Sequence, residues 1–285
     1  LLHDLYLDDS SVDPEVLSSQ LLQILRGSAN DGDCIAVDER WSGADAVLIT
    51  YADTVTEQEK PGLQSLRLLV NRHLNPFASV IHVLPFLQST SDGGFAVASH
   101  DQLESRHGDW GDLSALAGGR RLMADLVLNH ISASHPWVQQ FLCDDEPGRS
   151  CVLEASPSCC WDAVVRPRSS SLFTQLCGPA GVRQVWTTFG PDQVDVDWRS
   201  PEVLLGFTRL LARMVRHGVR WVRLDAVGFI WKTPGTGCIH LPQAHRIVEV
   251  MRHLMDAACS HGVVVTETNV PCLLYTSDAA DDFTS

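Results

Sequence analysis

Residues 218–226 read Gly-Val-Arg-Trp-Val-Arg-Leu-Asp-Ala, and this segment is the clearest indication of the fold class. Its apolar and β-branched positions are typical of a short buried strand, which ends at Asp225. A helix is predicted directly before it, with Ser200 as the N-cap and Gly218 as the residue that follows its end. A helix that leads into a strand buried on both faces is typical of a parallel sheet covered by helices.

The same alternation continues on both sides of this stretch. Further helices are predicted over residues 13–26, with Asp13 as the N-cap, and over residues 242–261. This alternation predicts an α/β fold of the (β/α)8 TIM barrel type, and since such a barrel closes with eight strands, about five strands predict its N-terminal portion only. The strands are predicted at residues 46–51, 79–86, 122–128, 219–224 and 262–266.

One long stretch breaks the alternation. Residues 131–199 are rich in Ser, Pro, Cys and Asp, have little periodicity, and are too long for an ordinary loop between a strand and a helix. Because long functional loops of barrels follow the carboxyl ends of strands, we interpret this stretch as a small inserted domain after the third strand. The other predicted units are a helical extension (1–44), the first part of the barrel (45–130), its continuation (200–271) and a non-native, adapter-like tail (272–285).

Composition excludes several classes of protein. The chain has 285 residues with 35 acidic and 21 basic side chains, a formal charge of −14, which excludes an electrostatic nucleic-acid binder. No apolar run approaches the ~18 residues that span a bilayer, so no membrane segment is predicted. Nine cysteines without a C-x-x-C pair or a secretory leader favour reduced thiols and a cytoplasmic location.

Carboxylates follow the ends of the predicted strands. Asp225 ends the fourth strand and Glu267 follows the fifth, and the carboxyl ends of parallel strands converge on one rim. Two facing carboxyl groups can perform glycoside chemistry, in which one attacks the anomeric carbon and the other protonates the leaving oxygen. Arg223 lies two residues before Asp225, on the same strand face, and we expect its charge to keep Asp225 ionised.

Other interpretations of these residues remain open at this point. An aspartate at a strand end is more often a cap or an ion-pair partner than a nucleophile. The sequence contains no H-E-x-x-H motif and no G-x-x-x-x-G-K-[ST] motif, so neither a metal site nor a nucleotide-phosphate site is predicted.

Three strings resemble three of the four signature regions of the α-amylase superfamily, glycoside hydrolase family 13. They are Asp125-x-x-x-Asn129-His130, residues 218–226, and Thr-Glu-Thr-Asn at 266–269. Longer strings resemble the sucrose phosphorylase group within it, which includes glucosylglycerate phosphorylases, and the resemblance covers roughly residues 45–271. The longer strings are residues 82–86, 122–131, 185–189, 192–197 and 235–240. The fourth region, which follows the fifth strand in this family, is absent, so the resemblance implies a truncated and inactive fragment.

The resemblance implies a role for each matching residue. Asp225 would be the nucleophile that carries a β-glucosyl intermediate, and Glu267 the general acid and base. Arg168, the second arginine of Arg166-Pro167-Arg168, would contact phosphate; the alternative is that both arginines are solvated loop charges. Apart from the resemblance, we interpret Asp125 and Asn129 as structural residues, with Asp125 ordering the loop after the third strand. The residues that would bind the glucosyl unit are Asp92, Phe95, His130, Gln193 and Arg223.

The activity implied is that of a retaining α-glucoside phosphorylase. Inorganic phosphate would be the co-substrate, the product α-glucose 1-phosphate, and the donor sucrose or glucosylglycerate, with no metal or organic cofactor. Two alternatives remain: an α-glucosidase or transglucosidase of the same superfamily, and a non-catalytic amylase-like interaction domain. The last predicts loss of the carboxylates, which are present here. The oligomeric state is left open.

Overall fold

The protein consists of one parallel sheet with helices packed on it and two small antiparallel sheets. The computed structural model describes residues 1–6, 12–28, 40–75, 77–155 and 160–268. The strands are β1 (Val47–Thr50), β2 (Val80–Val83), β3 (Arg121–Val127), β4 (His130–Ser132), β5 (Phe173–Gly178), β6 (Gly181–Trp186), β7 (Gln193–Asp195), β8 (Val219–Asp225) and β9 (Val263–Thr266). The α-helices are α1 (Leu2–Leu5), α2 (Pro14–Leu25), α3 (Gly62–Leu69), α4 (Trp110–Ala117), α5 (Pro136–Leu142), α6 (Gly148–Cys151), α7 (Pro201–Arg216) and α8 (Pro242–Ala258).

Five strands form the parallel sheet, in the order β1-β2-β3-β8-β9. All five predicted strands are present, with bounds that differ from the prediction by up to three residues. The largest difference is in β2, which ends at Val83, because Pro85 has no backbone N–H to continue the ladder. The register places Asp125 beside Arg223 and Val127 beside Asp225.

The edges of this sheet are exposed. β2 and most of β3 are buried, whereas on β1 Ile49 is 62% exposed and on β9 Val265 is 36% exposed. Within the described residues the sheet is therefore open, as expected for part of a barrel that closes on itself only with eight strands.

The two small sheets lie between β3 and α7. β4 pairs antiparallel with β7, which places His130 opposite Asp195, and β5 pairs antiparallel with β6. Because β4 begins three residues after β3, this segment leaves the parallel sheet at its carboxyl end and remains attached there through the β4–β7 pair.

The N-terminal helix α2 forms as predicted. The Asp13 side chain accepts hydrogen bonds from the backbone N–H groups of Glu15 and Val16, and Pro14 occupies the first helical position. Leu17, Leu21 and Leu25 of α2 are buried, and the helix packs against α7 and α8. Ser200 occupies the N-cap position of α7, as predicted, but its side chain makes no capping hydrogen bond.

Two predicted segments fall wholly or partly outside the residues that the structure describes. The predicted non-native tail, residues 272–285, lies outside the described residues, as does the last residue of the 266–269 motif. Among the described residues, no helix combines the length and the apolar character needed to cross a membrane.

Candidate active site

Two carboxylates meet at the carboxyl end of the parallel sheet. Asp225 is the last residue of β8, and Glu267 directly follows β9. Arg223 contacts both, with Nη1 lying 2.7 Å from Asp225 Oδ1 and Nη2 lying 3.0 Å from Glu267 Oε1. Neighbouring parallel strands that end at one edge thus bring together side chains 42 positions apart (267 − 225).

The backbone directly after Asp225 also holds Glu267. Ala226 adopts a left-handed conformation with a φ of 53°, and its N–H donates to Glu267 Oε2 over 2.9 Å. A non-glycine residue in this region is strained, and such strain is concentrated at functional sites. One carboxylate oxygen of Glu267 therefore contacts Arg223 and the other contacts the backbone.

A third carboxylate, that of Asp125, holds the guanidinium of Arg223. Asp125 on β3 is 6% exposed, and its Oδ1 lies 2.6 Å from Nη1 of Arg223. Its other oxygen, Oδ2, lies 2.9 Å from Nε2 of His82 on β2. Asp125 thus holds the guanidinium that both site carboxylates share.

The expectation that Arg223 keeps Asp225 ionised is wrong, because the effect of burial outweighs the charge of the arginine. Burial, followed by the charge of Glu267, raises the pKa of Asp225 from 3.8 to about 7, although Arg223 acts in the opposite direction. Asp225 is 7% exposed, and it is close enough to Glu267 to form a hydrogen bond. Two carboxyl groups this close resist ionising together, so the pair retains a proton near neutral pH.

A second cluster forms around Gln193 on β7. Its Nε2 donates to Asp92 Oδ2 over 2.9 Å and lies 3.0 Å from Nε2 of His130 on β4. Since an amide nitrogen only donates hydrogen bonds, the His130 nitrogen that faces it accepts. The structure therefore brings together three of the predicted glucosyl-binding residues, Asp92, His130 and Gln193.

The His130 ring is held neutral. It is 1% exposed, and burial is the main cause that lowers its pKa from 6.5 to about 4. Its ring centre lies 5.0 Å from that of Phe189, and Phe189 in turn lies 5.4 Å from Phe229. A neutral imidazole is able to accept the hydrogen bond from Gln193.

Asp92 faces a cavity of about 510 Å³, large enough for a sugar ring. Asp92 adopts a left-handed conformation with a φ of 54°, and Tyr51 lines the same cavity. Gly94 reaches a φ of 105°, and a Cβ there would lie 2.6 Å from the carbonyl oxygen of Pro85. This turn, which requires glycine, places Asp92 at the wall of the cavity, whereas neither Asp225 nor Glu267 lines it.

The remaining predicted site residues are placed differently. Phe95 follows the short 3-10 turn Asp92–Gly94 and is partly buried against the core. Arg168 is exposed between α6 and β5, and no hydrogen bond or ion pair joins it to another residue that the structure describes. The structure thus does not bring Arg168 into either cluster.

The sequence interpretation missed two buried charged residues. The Nζ atom of Lys232 lies 2.5 Å from Oδ2 of Asp195, and the charges of this buried ion pair act on the His130 ring. Asp195 lies inside the 192–197 string, but the lysine could have been found only from its position among apolar residues after β8. In the described part of the chain, no group of three or more His, Cys, Asp or Glu residues could hold a metal ion.

Five consecutive parallel strands, with paired carboxylates at their carboxyl ends, define part of a barrel enzyme scaffold. The family model described as alpha amylase, catalytic domain, matches residues 77–284, and the chain belongs to this family, glycoside hydrolase family 13. The resemblance inferred from the motifs is confirmed.

Within the family, the chain resembles phosphorylases. It is 46% identical over 231 residues to a glucosylglycerate phosphorylase of Allomeiothermus silvanus and 39% identical over 235 residues to one of Escherichia coli. It is 32% identical over 211 residues to a sucrose phosphorylase of Agrobacterium vitis. These alignments cover 81%, 82% and 70% of this chain but only 42% of each relative.

Solved structures agree on the fold. The sucrose 6F-phosphate phosphorylase from Thermoanaerobacter thermosaccharolyticum superposes with a TM-score of 0.74 at 23% identity, over 84% of this chain and 51% of that one. The trehalulose synthase MutB from Pseudomonas mesoacidophila superposes with a TM-score of 0.66 at 20% identity, over 79% of this chain and 44% of that one. The fold is therefore α/β, a partial (β/α)8 barrel, as predicted.

Proposed function

We propose that this chain carries the catalytic carboxylates of a retaining α-glucoside phosphorylase. The observation that supports this most strongly is the contact of Arg223 with both Asp225 and Glu267 at the ends of adjacent parallel strands. The short separation of the two carboxyl groups favours a retaining over an inverting reaction, which needs room for a nucleophile between carboxylate and sugar.

The reaction has two displacements. A carboxylate oxygen of Asp225 attacks the anomeric carbon, the glycosidic bond breaks, and Glu267 gives its proton to the leaving oxygen, which leaves a β-glucosyl ester on Asp225. An oxygen of inorganic phosphate then attacks the same carbon from the opposite face and displaces the Asp225 carboxylate. Glu267 accepts the proton of the attacking phosphate oxygen, and α-glucose 1-phosphate is released.

The retained proton suits this reaction. The pair needs one ionised and one protonated carboxyl group at the moment of attack, and the pKa of Asp225, raised to about 7, indicates that the pair keeps one proton near neutral pH. We propose that substrate binding transfers this proton to Glu267. Arg223 contacts both groups and stabilises whichever one carries the negative charge.

The second cluster would bind the glucosyl unit. Carboxylate, imidazole and amide groups form hydrogen bonds with sugar hydroxyls, and Asp92 faces the cavity while Gln193 joins it to His130. We propose that Phe95, directly after this turn, provides an apolar platform for the same ring.

Phosphate would be recognised by Arg168. An exposed guanidinium with no carboxylate partner among the described residues is available to an anion, and its planar fork matches phosphate oxygens. We propose no metal and no organic cofactor, because paired carboxylates supply both the nucleophile and the proton. The cytoplasmic location predicted from the cysteines stays a prediction.

The relatives favour a phosphorylase over the alternatives. Proteins named glucosylglycerate phosphorylase are 46% and 39% identical to this chain, against 32% for a sucrose phosphorylase, which supports glucosylglycerate before sucrose as the donor. Presence of both carboxylates argues against a non-catalytic interaction domain.

The test requires the complete reading frame, because the chain spans 42% of these relatives. The expressed protein is incubated with α-glucose 1-phosphate and, separately, glycerate, fructose, fructose 6-phosphate or glycerol, and released phosphate is measured. Release that depends on one acceptor supports a phosphorylase and identifies its donor. Release of glucose from α-glucosides without any dependence on phosphate would instead support the α-glucosidase alternative.

A further inference from the structure

The chain contains two lysines in very different surroundings. Lys60 is on the surface, where its side chain is 41% exposed and pairs with Glu57. The side chain of Lys232 is 4% exposed, on the segment between β8 and α8. Burying an ammonium group is costly unless it is paired and hydrogen-bonded, so the surroundings of Lys232 must compensate for this cost.

The Nζ atom of Lys232 has three partners. It lies 2.5 Å from Asp195 Oδ2, donates to Asn129 Oδ1 over 2.8 Å, and lies 5.8 Å from the centre of the Trp186 ring. Asp195 itself is fully buried and accepts two further hydrogen bonds, from the N–H and the hydroxyl of Thr188. Each member of the ion pair thus has at least one further hydrogen-bond partner.

These partners lie directly beside the glucosyl-binding cluster. Asn129 is the residue before His130 in the chain, and Asp195 is the residue opposite His130 in the β4–β7 pair. Gln193, whose amide joins Asp92 to His130, lies on the same strand as Asp195. A single ammonium group therefore connects the segment after β8 to β7 and to the residue that precedes β4.

We propose that Lys232 is a positioning residue for glucosyl binding, which holds β4 and β7 together so that His130 and Gln193 keep their hydrogen bond. This inference rests on the proposed function only for its kinetic consequence. Its structural part concerns the His130 ring and is measurable without any substrate.

The charges around His130 support this role. Lys232 lowers the pKa of His130, whereas Asp195, Asp92 and the hydrogen bond to the Phe95 carbonyl raise it, and burial is the largest cause. Removal of the lysine charge alone would leave two carboxylates beside the ring. The ring would then gain a proton more readily and lose its ability to accept from Gln193.

The first experiment compares Lys232→Met, Lys232→Arg and the matched surface control Lys60→Met in the complete protein. Histidine ring ¹⁵N shifts are followed from pH 4 to 8, with His130→Gln used to assign the signal. We expect Lys232→Met to raise the pKa of His130 measurably, Lys232→Arg to restore a value near that of the parent, and Lys60→Met to leave it unchanged. An unchanged His130 titration in folded Lys232→Met would overturn the inference.

The second experiment measures kcat and KM for the donor in the same variants. Displacement of a binding group by about 1 Å costs up to roughly 100-fold in rate, so we expect kcat/KM to fall ~10- to 100-fold in Lys232→Met, partial recovery in Lys232→Arg, and a change within about twofold in Lys60→Met. Inactivity of the parent would remove the proposed function but not the result of the titration.

A double variant addresses failure to fold. Lys232→Met alone leaves the Asp195 carboxylate buried without its counter-ion, which is strongly destabilising. Lys232→Met combined with Asp195→Asn removes both charges and keeps hydrogen bonds to Thr188. We expect the folded double variant still to show a lowered kcat/KM and an altered His130 signal. Parent-like kinetics together with a parent-like ring signal would assign the ion pair to stability alone and overturn the inference.

Discussion

Nη1 of Arg223 lies 2.7 Å from Oδ1 of Asp225, yet the pKa of this aspartate is raised to about 7. Burial is the largest cause, followed by the negative charge of Glu267. Arg223 lowers this pKa, but its one positive charge is shared with Asp125 and Glu267. The arrangement that holds these charged groups close together therefore lowers the local stability, a relation common at functional sites.

Asp225→Asn is expected to abolish glucosyl transfer in the complete protein. The amide cannot act as a nucleophile, and loss of such a group lowers kcat by about 10⁴-fold or more. Phosphate release from α-glucose 1-phosphate in the presence of the preferred acceptor is the measurement. Asp101→Asn is the control, since Asp101 pairs with Arg213 on the surface, and it should retain activity. Equal activity in Asp225→Asn would assign the nucleophile elsewhere.

The same substitution is expected to stabilise the protein near neutral pH. Asp225 has a raised pKa, so between about pH 4 and pH 7 the folded state binds more protons than the unfolded state, and the free energy of unfolding falls as the pH rises. Asparagine does not titrate, so the variant does not lose this part of the free energy of unfolding as the pH rises. The difference in Tm between Asp225→Asn and the parent, followed by calorimetry, should widen by several degrees from pH 5 to pH 7.5. A difference independent of pH would contradict the assigned pKa.

Gln193→Ala is expected to weaken donor binding. The amide bridges Asp92 and His130, and hydrogen bonds to charged groups contribute roughly 1.5–3 kcal/mol, or about 10- to 100-fold in kcat/KM. Steady-state kinetics with the donor varied at saturating phosphate is the measurement. Gln175→Ala is the matched control, because Gln175 is exposed on β5. Similar losses in both variants would indicate a general effect on folding.

Arg168→Ala is expected to affect phosphate alone. Loss of a charge-assisted hydrogen bond to an anion corresponds to a roughly 10-fold or larger increase in the KM for phosphate. Donor hydrolysis in the absence of phosphate should remain within about twofold of the parent. The neighbouring Arg166→Ala, which removes the same charge two residues away, is the control. If Arg166→Ala raised the KM for phosphate and Arg168→Ala did not, the two assignments would be exchanged.

Local patterns predicted the five strands of the parallel sheet and the helices α2, α7 and α8. The apolar runs predicted all five strands of the parallel sheet, and Asp13 followed by Pro14 predicted the start of α2. These features depend on neighbouring residues only, so they are visible in sequence. The end of β2 was predicted too late, because apolar character continues to Phe86 after the chain has left the sheet.

The carboxylate pair was also predictable in part. Motif strings predicted Asp225 and Glu267, and the two-residue periodicity of a strand predicted that Arg223 lies on the same face as Asp225. The protonation of the pair could not be predicted from the sequence, because it depends on burial and on the distance between Asp225 and Glu267, which follow different strands.

Local patterns and motifs predicted the order of the five parallel strands and of helices α2, α7 and α8, the family, and the chemical types present at the strand ends. Folding brings together the remaining contacts: one guanidinium contacts three carboxylates, Gln193 joins Asp92 to His130, and Lys232 pairs with Asp195 on the same strand as Gln193. The physical reason is that periodicity and propensity act between near neighbours in the chain. Contacts, burial and electrostatic coupling act between residues that only folding brings together.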